Sequence, residues 1–172
     1  MKKLVSLLAF ALLSGCASVY KPIPDGYAGP TANLSDSFNA ISGSKVEFFY
    51  VDQIDGHELT NSRFASLAAN RGRGMSMSPV LVQRAIPAAK ATTLLLVART
   101  EYAVPILTLT NTVYQVKGKI EFTPEPNKRY IVRGQLGEGH ASVWLEEEDT
   151  KQLVGEKVEV EGSAAKLGIL EK

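Results

Sequence analysis

The chain has 172 residues, 45% of them hydrophobic and 22% charged, with 19 Lys and Arg against 18 Asp and Glu. A formal charge of +1 argues against a nucleic-acid binder, which carries a strong basic excess. The length suits one domain with its own core, and a single cysteine excludes any disulfide within the chain.

The chain opens with Lys2 and Lys3 and runs largely apolar from Leu4 to Leu13, the layout of a secretory signal. That run is too short for a spanning helix, which needs roughly 20 residues to cross ~30 Å of hydrocarbon. It ends in Leu13-Ser14-Gly15-Cys16. The four residues resemble the lipobox of bacterial lipoproteins: an aliphatic residue, two small ones, then cysteine. The resemblance implies diacylglyceryl transfer to the Cys16 sulfur, cleavage between Gly15 and Cys16, and acylation of the new amino group. One acyl chain binds a membrane marginally and two bind it stably, so a triacylated cysteine is a lasting anchor. Ala17 and Ser18 follow the cysteine. By the sorting rule of that family, the absence of Asp there implies the outer membrane, with the domain facing the periplasm. The competing reading is an ordinary signal peptide with an incidental cysteine. Loss of residues 1–15 takes away Lys2 and Lys3 and turns the formal charge to −1.

Residues 16–30 carry Pro22, Pro24, Pro30, Gly26 and Gly29 and read as a tether. Fully extended at roughly 3.3 Å per residue, it would hold a domain ~45 Å from the bilayer. Tyr20 and Tyr27 could sit among the headgroups or dock on the domain.

Residues 31–172 read as one β domain. Strands are predicted over 45–52, 80–86, 92–102, 107–109, 114–122, 129–136, 141–146 and 157–161, from β-branched and aromatic enrichment between turn signals. Thr92 to Tyr102 has leucines on both faces and reads as central and buried. Tyr130, Val132 and Leu136 share one face, with Arg133 opposite; Val143 and Leu145 point inward, with Trp144 outward. A short helix is predicted near 62–70, where Phe64, Leu67 and Ala68 share a face and Asn61 or Ser62 caps. The fold class is all-β: an antiparallel two-sheet sandwich, prealbumin- or Ig-like, of about seven strands.

Ile54-Asp55-Gly56 after a strand, Ile86-Pro87-Ala88-Ala89-Lys90 before a buried one, and Phe122-Thr123-Pro124 to Arg129-Tyr130-Ile131-Val132 resemble the prealbumin-like or PEGA-like modules of bacterial envelope proteins. The resemblance covers residues 46–147. It implies a binding or structural module.

Motifs for chemistry are scarce. Asp52, Asp55, His57 and Glu58 form a polar turn rather than a zinc set, which needs three or four ligands at fixed spacing. Gly74-Met75-Ser76-Met77-Ser78 lacks the last glycine of a nucleophile elbow. Gly72-Arg73-Gly74 and Gly137-Glu138-Gly139 lack the third glycine of a dinucleotide loop. The acids at 146–149 are adjacent, whereas catalytic pairs converge from separate segments. No catalytic residue, metal ligand or cofactor is expected, and no enzyme.

Charge is unevenly spread. Between Leu59 and Thr100 lie Arg63, Arg71, Arg73, Arg84, Lys90 and Arg99 with no acid, whereas residues 138–172 hold nine acids against four lysines. One reading pairs the two halves across the sandwich. The other makes Arg63, Arg71 and Arg73 candidate anion-binding residues, with the 70–74 loop presenting guanidinium forks. Met75 and Met77 would add apolar contact or lie in the core. The function expected is a lipid-anchored cell-envelope protein with a non-catalytic structural or interaction role. Its partners would be the membrane through Cys16 and an envelope protein or anionic glycan, with no nucleic acid. The alternatives are binding of an anionic envelope glycan or lipid through the Arg71/Arg73 loop, and a small envelope hydrolase.

Overall fold

A computed structural model describes residues 20–172; the signal segment, Gly15 and Cys16 lie outside the described residues. Alternating apolar positions build two stacked sheets. The first contains β1 (Thr31–Ser35), β5 (Gln83–Pro87), β8 (Arg129–Gln135), β9 (His140–Glu147) and β10 (Leu153–Glu161), in the order β10-β9-β8-β1-β5. The second contains β2 (Ser37–Ser42), β3 (Lys45–Ile54), β6 (Thr92–Tyr102) and β7 (Gln115–Phe122), in the order β2-β3-β6-β7; β4 (His57–Glu58) folds back on β3. Two short helices, α1 (Ser62–Ala69) and α2 (Pro105–Thr110), complete the regular structure apart from a final 3-10 turn. This is the all-β two-sheet sandwich, with ten strands where about seven were expected. Pairing is antiparallel except between β1 and β8.

The core between the sheets follows the pleat. Leu34, Phe49, Val51, Leu94, Leu96, Val132, Val143 and Leu145 all face inward and are buried. Each such side chain contributes about 1.5–3 kcal/mol on burial. Trp144 lies on the outer face, where the Lys157 ammonium sits 4.8 Å from its ring.

Two expectations change. Leu107 to Leu109, expected as an edge strand, belong to α2. Pro105 stands in the first turn of that helix, where its fixed φ is pre-set and its missing N–H costs nothing. The strand predicted from Val80 begins only at Gln83, because the amides of Val80 and Val82 are taken by α1. Between β1 and β2 the chain changes sheet at Asp36, a step with no local sequence signal.

Tyr20 docks on the domain. It packs against the inter-sheet core, and its ring stacks on His57 with centroids 4.4 Å apart. At the other end of the proline-rich segment, the Pro30 carbonyl accepts from the Ala88 amide, 2.9 Å. Both ends of residues 20–30 are therefore held against the domain, and this stretch is not the fully extended tether expected.

Gly134 in β8 packs directly under the Phe49 ring of the facing sheet. A Cβ there would lie 2.4 Å from the Phe49 ring and 2.9 Å from the Ser142 carbonyl oxygen. Gly134→Ala is therefore expected to cost about 1–3 kcal/mol by overpacking. Adding Phe49→Leu should recover part of that loss in urea denaturation; a Gly134→Ala midpoint equal to wild type would refute the close approach.

Candidate functional site

Helix α1 is built inside out. Asn61 caps it, its side-chain oxygen accepting from the Phe64 amide at 3.0 Å. The fully buried face is made of serines. Ser62 Oγ accepts from the Val82 amide and Ser66 Oγ from the Val80 amide, both 2.8 Å, and Ser66 Oγ donates to the Ser62 carbonyl at 2.6 Å. Asn70 closes the turn: its amide nitrogen donates to the Ser66 and Ser78 carbonyls, and its side-chain oxygen accepts from the Ser78 amide. The segment after the helix is thus laced to the polar side of α1. The apolar stripe of Phe64, Leu67 and Ala68 turns the other way.

It turns into a groove. The outer face of the second sheet carries its own small core, Val46, Phe48, Tyr50, Met77 and Val97. Beside it, α1, the 70–77 turn and the Ala103–Pro105 corner enclose a groove of about 900 Å³. A second hollow of about 350 Å³ shares Leu67, Ala103 and Pro105 with it and extends to Leu109 of α2. Phe64 lines the groove and Leu109 the second hollow, and both are about half exposed, at 51% and 52%. Met75 and Met77 separate: Met77 is core and Met75 is exposed.

The electrostatics are lopsided. Arg63 Nε donates to Glu101 Oε2 at 2.5 Å, and Arg99 Nε lies 3.8 Å from the same oxygen. Arg99 also donates to the Gln115 side chain at 2.6 Å, yet its buried Nε has no hydrogen-bond partner. Two guanidinium groups thus share one carboxylate. Burial, with Arg63 adding repulsion, pulls the Arg99 pKa down. Tyr50 sits among these charges; burial pushes its phenol up to about 12, so it stays neutral and serves as no base near pH 7.

Of the three predicted anion-binding residues, Arg71 and Arg73 share one exposed turn and enter no ion pair among the described residues. Gly72 and Gly74 give that turn its shape, with φ of +80° and +69°, which L side chains rarely adopt. Arg71 lines the groove. Arg63 departs from the other two, being turned to Glu101 and largely covered. The two charged halves do not pair across the sandwich. Arg63 and Arg84 pair with Glu101 and Asp36, while the C-terminal acids pair locally: Glu147 with Lys128, Glu146 with Arg133, Glu159 with Lys157. Among the described residues, no group of three or more His, Cys, Asp or Glu side chains is placed to hold a metal ion. His57 stacks on Tyr20, and His140 Nδ1 is 2.9 Å from Glu161.

Sequence reasoning missed α2 and the Arg99–Glu101 pair. The serine pair Ser62 and Ser66, one turn apart opposite the apolar stripe, was the available signal for the helix's orientation. Comparison with protein-family models, curated proteins and solved structures finds no match to the chain.

Proposed function

We propose that this chain is a lipid-anchored envelope protein whose domain has a non-catalytic interaction role, exercised at the groove between α1 and α2. The observation that carries the interaction role is the apolar stripe of α1, which faces the groove while the helix's polar face is buried. Anchoring rests on the lipobox-like Leu13-Ser14-Gly15-Cys16 alone. No helix among the described residues is long and apolar enough to cross a membrane.

In cell fractionation, wild type is expected in the outer-membrane fraction, with N-terminal acyl groups seen by mass spectrometry. Cys16→Ala is expected to leave the chain unacylated and release it from that fraction. Retention of Cys16→Ala in the membrane at unchanged mobility would remove the anchor. The interaction role is tested by crosslinking in cells from position 64 against position 135 on the far sheet. Adducts at neither position would remove it.

The second reading is an anionic glycan or lipid held by Arg71 and Arg73. It is favoured by the absence of any ion pair to these two residues among the described residues. It predicts binding that weakens as salt rises.

A further inference from the structure

We infer that the groove between α1 and α2 receives an amphipathic helix from a partner protein, one with acidic residues flanking its apolar stripe. This rests on the interaction role proposed above and names the partner's chemistry.

The lining selects for an apolar stripe. Phe64, Leu67, Ala68, Met77 and Pro105 line a trough beside α1 that is open to solvent. A helix laid there meets an apolar lining, the helix-in-groove mode in which residues at i, i+3, i+4 and i+7 are the anchors.

The rim selects for acid. Arg71 lines the groove and Arg73 shares its turn, while Glu101 of the second hollow is paired with both Arg63 and Arg99. Glu101 is the one acid lining the two hollows, and it is already engaged by both arginines. Carboxylates beside the partner's stripe would therefore meet positive charge and no repulsion. Such complementarity sets register and partner choice more than raw affinity.

Position favours a protein over the anchoring bilayer. Tyr20 is docked at the Ile54–His57 end of β3, whereas the Ala103–Pro105 corner of the groove follows the other end, where Lys45 pairs with Tyr102. That corner is the length of the ten-residue β3 from the Tyr20 end, about 30 Å at about 3.3 Å per residue. The residues from Cys16 to Tyr20 reach only about 13 Å when extended.

The test is a display library of 18-residue helical peptides. Each carries leucine at i, i+3, i+4 and i+7, with Glu or Lys at random elsewhere. It is selected on the full chain purified from the fraction in which it resides. Enrichment of Glu-rich peptides is expected, with affinity falling at least tenfold for Arg71→Glu plus Arg73→Glu and at least tenfold for Phe64→Asp. Circular dichroism of both variants checks that they fold. Enrichment of Lys-rich peptides, no enrichment, or affinity unchanged in the folded Phe64→Asp variant would overturn the inference. So would binding to phosphatidylglycerol vesicles that the peptides do not displace, or self-association that protects Phe64. Each of these leaves the Cys16→Ala fractionation result intact, so failure here is distinct from failure of the anchor.

Discussion

Replacing Asp36 with alanine is expected to lower the unfolding free energy by about 3–5 kcal/mol, the range for stranding one member of a buried ion pair. Asp36 is fully buried where the chain crosses from the first sheet to the second. One carboxylate oxygen accepts from the Val51 amide at 3.1 Å; the other accepts from the Ser62 amide at 2.8 Å and Arg84 Nη2 at 3.0 Å. A single side chain therefore ties β1, β3, the start of α1 and β5 together. Burial pushes its carboxyl above the ordinary aspartate range, while Arg84 and the two amides pull it back. Alanine would leave two buried amides and a guanidinium without their acceptor. Adding Arg84→Met should restore part of the loss, because removing both charges costs less than stranding one. Urea midpoints of the three variants decide it. An Asp36→Ala variant within about 0.5 kcal/mol of wild type, the usual effect of a surface substitution, would refute the hub.

The sequence made some of this legible. β6 was predicted over the residues it occupies, because a run with leucines on both faces has one good solution, a central strand between two apolar layers. The inward faces of β8 and β9 followed from simple alternation. β1 and β2 did not show, being five and six residues long and few of them β-branched. Their sheet change depends on contacts from Asp36 to Ser62 and Arg84, far along the chain. The stripe on α1 was legible, but its direction was not. Which face of a helix turns inward depends on whether its polar side finds partners, and here Val80 and Val82 supply them. Arg63 was counted as an anion-binding candidate for a similar reason. Its carboxylate partner is 38 residues away, and no local pattern announces it.

Phe48→Ala and Phe64→Ala are expected to separate fold from function. Phe48 is fully buried on the outer face of the second sheet, among Val46, Tyr50, Met77 and Val97, with Phe38 tilted against it at 6.4 Å. Truncation there leaves a cavity and is expected to cost about 3–5 kcal/mol. The loss should be felt first in the layer above. Hydrogen exchange at the Val80 and Val82 amides, which are held by α1, should accelerate more than at Leu96 in the inter-sheet core. Phe64 is equally large but 51% exposed. Its truncation is expected to change stability by no more than about 0.5 kcal/mol, while removing the largest apolar contact a partner helix could make. The two substitutions delete the same atoms from one outer layer, so a difference between them measures orientation rather than size. Equal losses of stability would mean that the stripe of α1 is folded into the domain's own core, and the groove would lose its claim to a partner.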